Sequence, residues 1–421
     1  MKTKRPKAVS VTDVPALNKP ELLAPAGDFE KLQMAVSYGA DAVYIGGKNF
    51  GLRANAKNFD DNELANAIKY AHDFGVKVYV TANIFAKNHD FNSLEKYLKF
   101  LREINTDAVL VADPGVLDIA RGIKGLEIHI STQANVTNYQ SAAFYQKNGA
   151  SRVVLARELN FDEIEEINCR LPSLETEVFV HGAMCVAYSG RCLLSSYMVN
   201  RDGNRGNCAQ PCRWKYRIQE EQSPGQYLPI NEDESGTYIM NSKDLCLIQH
   251  IPRLVKSGVS SLKIEGRMKT SYYVAVVTRA YRQAIDDFFE SPELYNSKLD
   301  YYLEEVKKTS HRDFYTGFYF GSPAPPEGQN YQDSGYTSTR DFLGVVQGYD
   351  KDSGYVTVQQ RNKFSIGDEV EFVKADFKTV VKEMYDIDGN AISSAPHPKQ
   401  VLKIKVDRFV GELDILRSRI T

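Results

Sequence analysis

The sequence predicts an α/β fold, a (β/α)8 TIM-barrel-like domain followed by a small antiparallel β-barrel domain, on three observations. Eight short, apolar, β-branched runs recur through the first two-thirds of the chain, each followed by an amphipathic segment. Near-continuous apolar strands alternating with helices mark a parallel sheet covered on its outer face, and eight repeats favour closure over an open doubly wound sheet. Beyond Arg340 the pattern changes to short alternating strands parted by glycine turns, as in a small antiparallel barrel.

Residues 1–20 form a basic, proline-containing tail with Lys2, Lys4, Arg5, Lys7 and Lys19, read as disordered. The predicted strands are Leu22–Ala26, Ala42–Gly46, Lys77–Asn83, Ala108–Asp113, Glu127–Thr132, Arg152–Glu158, Glu177–Gly182 and Ser261–Gly266. Between them, segments such as DNELANAIKYAHDFG and NSLEKYLKFLREINTD place apolar residues three and four apart, one face of a helix. The turn after strand 1, PAGDFE, reads as a helix start capped near Asp28 and lacks GxGxxG, which disfavours a nicotinamide-binding fold. The helix TSYYVAVVTRAYRQAIDDFFE closes a domain spanning 21–290. A Tyr- and Lys-rich connector (291–337) leads to the second domain, 338–421.

The 421 residues are 43% hydrophobic and 25% charged, ordinary globular usage for a chain of about two domains. A net charge of −2 means that any nucleic-acid contact needs a local basic patch. No apolar run approaches the ~18 residues that span a bilayer, and the start of the chain lacks the apolar stretch of a secretory leader. A cytoplasmic protein without a membrane partner is expected.

One stretch breaks the alternation. The insertion 183–258, between strands 7 and 8, carries Cys185, Cys192, Cys208 and Cys212, four of the six cysteines, spaced C-x6-C-x15-C-x3-C. Buried free thiols fit a glycine-rich polar loop poorly. Zinc favours C-x2–4-C pairs, which only Cys208 and Cys212 match, with His181 as a further nitrogen ligand. An iron–sulfur cluster accepts irregular spacing and is the preferred reading. Cys169 and Cys246 fall in amphipathic segments read as helices and are assigned to packing, although Cys246 could replace one of the four. The loop leaving strand 7 sits on the active face of such a barrel, so a cluster there would overlook the mouth.

Polar residues at or just beyond strand ends form a ring of candidates: Arg53, Thr81, Asn83, Asp113, Thr132, Gln133, Arg157, Glu158, His181, Glu265 and Arg267. Each alone could be a cap or rim hydrogen bond. Together they suit an anionic small molecule, with arginines able to grip carboxylates. Cys185 with His181 could also be read as a thiol nucleophile and its base, but no third, orienting residue is evident. In the insertion, Arg201, Arg205, Arg213, Lys215 and Arg217 interleave with Trp214 and Tyr216, charge and stacking surface suited to single-stranded RNA. The rival readings are a solvated hairpin or counter-charges for an anionic cluster.

EVFVHGAMCVAYSGRCLLS closely resembles the signature of the U32 family, long labelled collagenase-like peptidases. ELLAPAGDFEKLQMAVSYGADAVYIGG and SLKIEGRMKTSYYVAVVTRAYRQAID resemble the same family, and the likeness covers residues 20–415. Within it the chain looks most like bacterial tRNA hydroxylation proteins. That resemblance implies a tRNA-modifying enzyme that forms 5-hydroxyuridine at the wobble position, dependent on prephenate. It further implies a [4Fe–4S] cluster held by Cys185, Cys192, Cys208 and Cys212, and it leaves open a paralogous U32 subunit as partner. Arg201, Trp214, Lys215 and Arg217 are the expected RNA contacts, and Arg53, Asn83, Gln133, Arg157, His181, Glu265 and Arg267 the expected substrate contacts. The alternatives are a U32-type peptidase and hydroxylation of a 23S rRNA cytidine, though rRNA enzymes of this family are longer.

Overall fold

Eight runs of apolar residues with little room for polar side chains form eight strands that leave no free sheet edge. A computed structural model describes residues 18–52, 57–184, 192–211, 232–233, 236–237, 243–321 and 337–420. The barrel strands are β1 (Glu21–Pro25), β2 (Ala42–Gly46), β3 (Lys77–Ala82) and β4 (Ala108–Val111). They continue with β5 (Ile128–Ile130), β6 (Arg152–Val154), β7 (Glu175–Ala183) and β8 (Ser261–Ile264). All pair in parallel in chain order, and β8 joins both β7 and β1, so the cylinder closes. Strands 5 and 6 are shorter than expected. After Val154 the chain leaves the ladder, with Ala156 N–H donating to the Val136 carbonyl, and that turn lifts Arg157 over the barrel end.

The outer layer comprises α1 (Phe29–Ser37), α2 (Asp61–Asp73), α3 (Phe91–Glu103), α4 (Pro114–Arg121), α5 (Tyr139–Lys147) and α6 (Phe161–Arg170). All but α3 start at a side-chain cap that satisfies otherwise orphaned N–H groups. Asp28 accepts from Lys31 N–H as its sequence position suggested, and Asp60 with Glu63 and Asn160 with Glu163 form reciprocal capping boxes. Asp113, a ring candidate, caps α4 through Gly115 and Val116 N–H.

The insertion contributes α7 (Leu194–Val199) and then returns to the barrel differently from the sequence reading. The run DLCLIQHIPRLV predicts a helix, yet Asp244–Cys246 is a strand antiparallel to β7, and α8 (Ile251–Lys256) begins only later. Leu245, Ile248 and Ile251 have helical spacing, but Leu247 N–H donates to the Val180 carbonyl and the β7 edge takes the backbone. The long α9 (Ser271–Glu290) packs on β1 and α1. The connector is also partly ordered: α10 (Pro292–Ser297), α11 (Leu299–Lys307) and a strand, Phe314–Tyr315, that extends the barrel sheet beside Asp244–Cys246.

The second domain contains β9 (Arg340–Asp350), β10 (Tyr355–Gln360), β11 (Phe364–Ser365), β12 (Glu369–Phe372) and β13 (Phe377–Val380). It ends with β14 (Met384–Asp386), β15 (Ser394–Ala395), β16 (Val401–Lys405) and β17 (Ile415–Arg419). Seven strands form an antiparallel half-barrel in the order β13-β12-β17-β9-β10-β16-β14, with β11 and β15 as a separate pair. Alternation holds along β10, where Val356, Val358 and Gln360 point inward. The domains share a small core: Met34, Tyr38, Tyr272 and Val276 meet Val345, Val373 and Ile415.

Candidate functional site

Strand parity turns four ionic side chains into the barrel interior, toward the N-terminal ends of its strands. Arg152 Nη1 lies 2.6 Å from Glu21 and 3.4 Å from the fully buried Glu177, and its Nη2 lies 2.6 Å from Glu175. Lys263 Nζ donates to the other oxygen of Glu177 at 2.6 Å, and Tyr79 Oη donates to Glu21 at 2.6 Å. Burial alone would raise the Glu177 carboxyl, but Lys263 and Arg152 outweigh it and hold the group below its ordinary value.

Above this layer is a pocket lined by residues in or just beyond seven of the eight strands, among them Tyr44, Asn83, Gln133, Arg157, Phe179, Lys263, Glu265 and Arg267. Five of the seven substrate-binding candidates named from sequence therefore converge. Arg267 is buried to 3% exposure, with Nη1 donating to Thr81 Oγ1 (3.2 Å) and Nη2 to Asn58 Oδ1. Gly46 makes this possible: a Cβ there would stand 2.3 Å from Arg267 Nη2. Arg157 lies over the Phe179 ring, 3.9 Å from its centroid, with Nη2 3.4 Å from Glu265 Oε2. Asn83 Nδ2 donates to Ser131 Oγ (2.9 Å), while its Oδ1 is buried without a hydrogen-bond partner among the described residues. Three cations, Arg157, Lys263 and Arg267, share the lining with one carboxylate, Glu265. That surplus suits a negatively charged ligand, and the Asn83 oxygen awaits a donor.

His181 is elsewhere. The pairing of β7 with β8 shifts between Lys263 and Ile264, whose partners are Phe179 and His181, so Val180 is bypassed and alternation fails there. The His181 ring is instead caged by Tyr273, Tyr281 and Phe314. Burial, then the neighbouring His311 and Lys269, push it down to about 3, so it is neutral at ordinary pH. A caged ring of this kind is a poor base for Cys185. Arg53 lies outside the described residues. The sequence reading missed Lys263, although a lysine between Leu262 and Ile264 in a buried strand must by parity face the barrel interior.

In the insertion, Arg205 forms a two-pronged pair with Asp90, Nη1 to Oδ2 at 2.8 Å and Nη2 to Oδ1 at 3.1 Å, and also donates to the Phe85 carbonyl. The insertion is thereby fastened to the loop after β3. The Arg205 hydrogen bonds hold the Asp90 carboxyl down at about 2. Arg201 Nε donates within the loop to the Asn207 carbonyl and side chain, both at 3.1 Å, so this candidate RNA contact braces the turn. Lys19, in the basic tail, pairs with Asp286 at 2.7 Å.

Cys192 and Cys208 are half-buried and not joined in a disulfide; Cys185 and Cys212 lie outside the described residues, as do Trp214, Lys215 and Arg217. Gln210 N–H donates to Cys208 Sγ at 3.3 Å. These thiols fit the donor chemistry of an iron–sulfur or zinc centre. Cys246 lies buried in the strand beside β7, and burial pushes its thiol up to about 11. Cys169 is on α6, exposed.

The profile of peptidase family U32 matches residues 27–329, and that of the family's C-terminal domain matches residues 338–417. The chain belongs to peptidase family U32. It is 44% identical over 404 residues to a tRNA hydroxylation protein of Bacillus subtilis, covering 95% of both chains. To a tRNA hydroxylation protein of Escherichia coli it is 38% identical, covering 90% of this chain and 92% of the other. A 23S rRNA 5-hydroxycytidine synthase of Escherichia coli is 35% identical over 69% of this chain but only 44% of its own length. No described helix is long and apolar enough to cross a membrane.

Proposed function

We propose that this protein hydroxylates tRNA, forming 5-hydroxyuridine at the wobble position, with prephenate as co-substrate in the barrel-mouth pocket. The observation that carries the reading is the 44% identity, over 95% of both chains, to a protein named for tRNA hydroxylation. The pocket supports it. Prephenate is a dicarboxylate with one secondary hydroxyl, and Arg157, Lys263 and Arg267 supply cations for two carboxylates while Asn83 Oδ1 can accept from the hydroxyl. Phe179, flat beneath Arg157, keeps that guanidinium in place and offers the ligand an apolar wall.

Cys185, Cys192, Cys208 and Cys212 would hold a [4Fe–4S] cluster, which when bound supplies one-electron chemistry. Arg205, clasped to Asp90, keeps Cys208 on the same rim as Asn83 and Gln133. Cys246 is passed over as a ligand because its thiol is buried and held protonated.

The reading is tested by mass spectrometry of nucleosides from cells lacking the gene and any redundant enzyme. Loss of 5-hydroxyuridine from tRNA is expected; unchanged tRNA with loss of a 23S rRNA hydroxycytidine would move the substrate to the ribosome. On the same purified protein, Cys208→Ser should lose most iron and Cys246→Ser should keep it. A colourless protein holding zinc and no iron would overturn the cluster.

A further inference from the structure

A second cavity, of about 630 Å³, opens beside the barrel-mouth pocket and shares a wall with it. Consecutive residues face the two spaces: Leu52 and Asn83 line the first, Gly51 and Ile84 the second. The volume lies within the roughly 300–1,000 Å³ of ordinary ligand clefts. Its lining includes the aromatic rings of Phe50, Tyr97 and Phe100, with Lys48, Lys96 and Arg205 beside the carboxylates Asp61 and Asp90.

Two details mark it as more than a crevice. Phe50 has φ +59°, a left-handed conformation that a bulky side chain adopts only at a cost. It is held there by a hydrogen bond from Ile84 N–H to its carbonyl (3.3 Å) and by its ring, 5.3 Å from that of Tyr97. Among the described residues Lys96 is exposed without an ion pair, and Lys48 has only a long, solvent-exposed pair with Asp60 at 3.3 Å. Arg205 brings the cysteine-bearing insertion to the edge of this cleft.

Flat apolar surface beside exposed lysines is the combination that a single-stranded nucleotide uses: the ring for its base, the ammonium groups for its phosphate. We propose that this cleft seats the RNA nucleotide next to the one presented to the barrel mouth, its base on Phe50 and its phosphate on Lys48 and Lys96. The proposal rests on the RNA-modifying reading above and adds the place where the substrate is gripped. Holding a neighbour in a separate cleft splays the reacting base out of its stack and fixes which loop position enters the mouth.

The test is binding of an RNA anticodon stem–loop to the full chain, in wild type, Phe50→Ala and Lys96→Ala, at several salt concentrations. Phe50→Ala should weaken binding about tenfold or more with an unchanged salt slope. Lys96→Ala, at an exposed position that does not endanger folding, should flatten the log–log slope by roughly 0.7. An abasic nucleotide adjacent to the reacting uridine should weaken binding to wild type but cost Phe50→Ala nothing further, the signature of a shared contact. Tight binding by wild type that neither Lys96→Ala nor the abasic series alters would overturn the cleft and leave the RNA reading standing. Failure of wild type to bind any RNA, even at low salt, would overturn both.

Discussion

Inside the barrel, Glu21, Arg152, Glu177 and Lys263 lie below; at the mouth, Arg157, Glu265, Arg267 and Asn83 lie above, built from much the same side-chain types. In the lower group each charge meets an opposite one within 3.4 Å, and Tyr79 and Ser261 donate to Glu21 as well. In the upper group cations outnumber carboxylates and the Asn83 oxygen has no partner among the described residues. A polar cluster whose partners are complete holds a fold in register; one with groups left over holds a ligand. Lys263 belongs to both, its amine paired with Glu177 while the residue also lines the pocket.

The comparison predicts different losses at the two levels. Arg152→Ala strands the buried Glu177 beside a single remaining cation, and should cost about 3–5 kcal/mol of stability in chemical denaturation. Loss of prephenate affinity without loss of stability in that variant would reverse the assignment of the lower layer. Arg157→Ala should do the opposite. It should weaken prephenate binding, read by calorimetry, by about 10- to 100-fold, the worth of a charge-assisted hydrogen bond, with little change in melting temperature. A smaller effect belongs to the clasp between the insertion and the barrel. The Asp90 carboxyl is lowered to about 2 by Arg205, so its contribution to stability is complete above about pH 4 and disappears as pH falls through 2. The difference in thermal stability between wild type and Asp90→Asn should accordingly shrink on acidification between those values. A difference independent of pH would mean that the clasp acts through shape rather than charge.

Much of the barrel could be read from residue order because the buried strands are predominantly apolar and most of the outer helices start at a capping residue. Asn83, Gln133, Arg157, Glu265 and Arg267 were legible for a related reason: a polar residue just past a strand end can face only the rim. His181 follows the same rule on paper and breaks it in space, because one bypassed residue in β7 removes the alternation on which the rule depends. Asp244–Cys246 was misread because the spacing of its apolar residues suits a helix, and only the neighbouring edge of β7 decides for a strand. Nothing local could reveal the Arg205–Asp90 clasp, whose partners are 115 residues apart. Lys263 was readable from strand parity alone.

The seam between the two domains bears on how the molecule comes apart. Arg417, on β17 and almost wholly buried, reaches Glu305 of α11 and Glu371 of β12, with Lys308 pairing to the same two acids. Parting the half-barrel from the barrel would take Glu305 and Lys308 away from Arg417 and Glu371 and expose Tyr38, Tyr272 and Ile415 to water together. Two pieces of chain that read as separate modules thus share part of their stability across one seam, and a lesion on either side weakens contacts made by both.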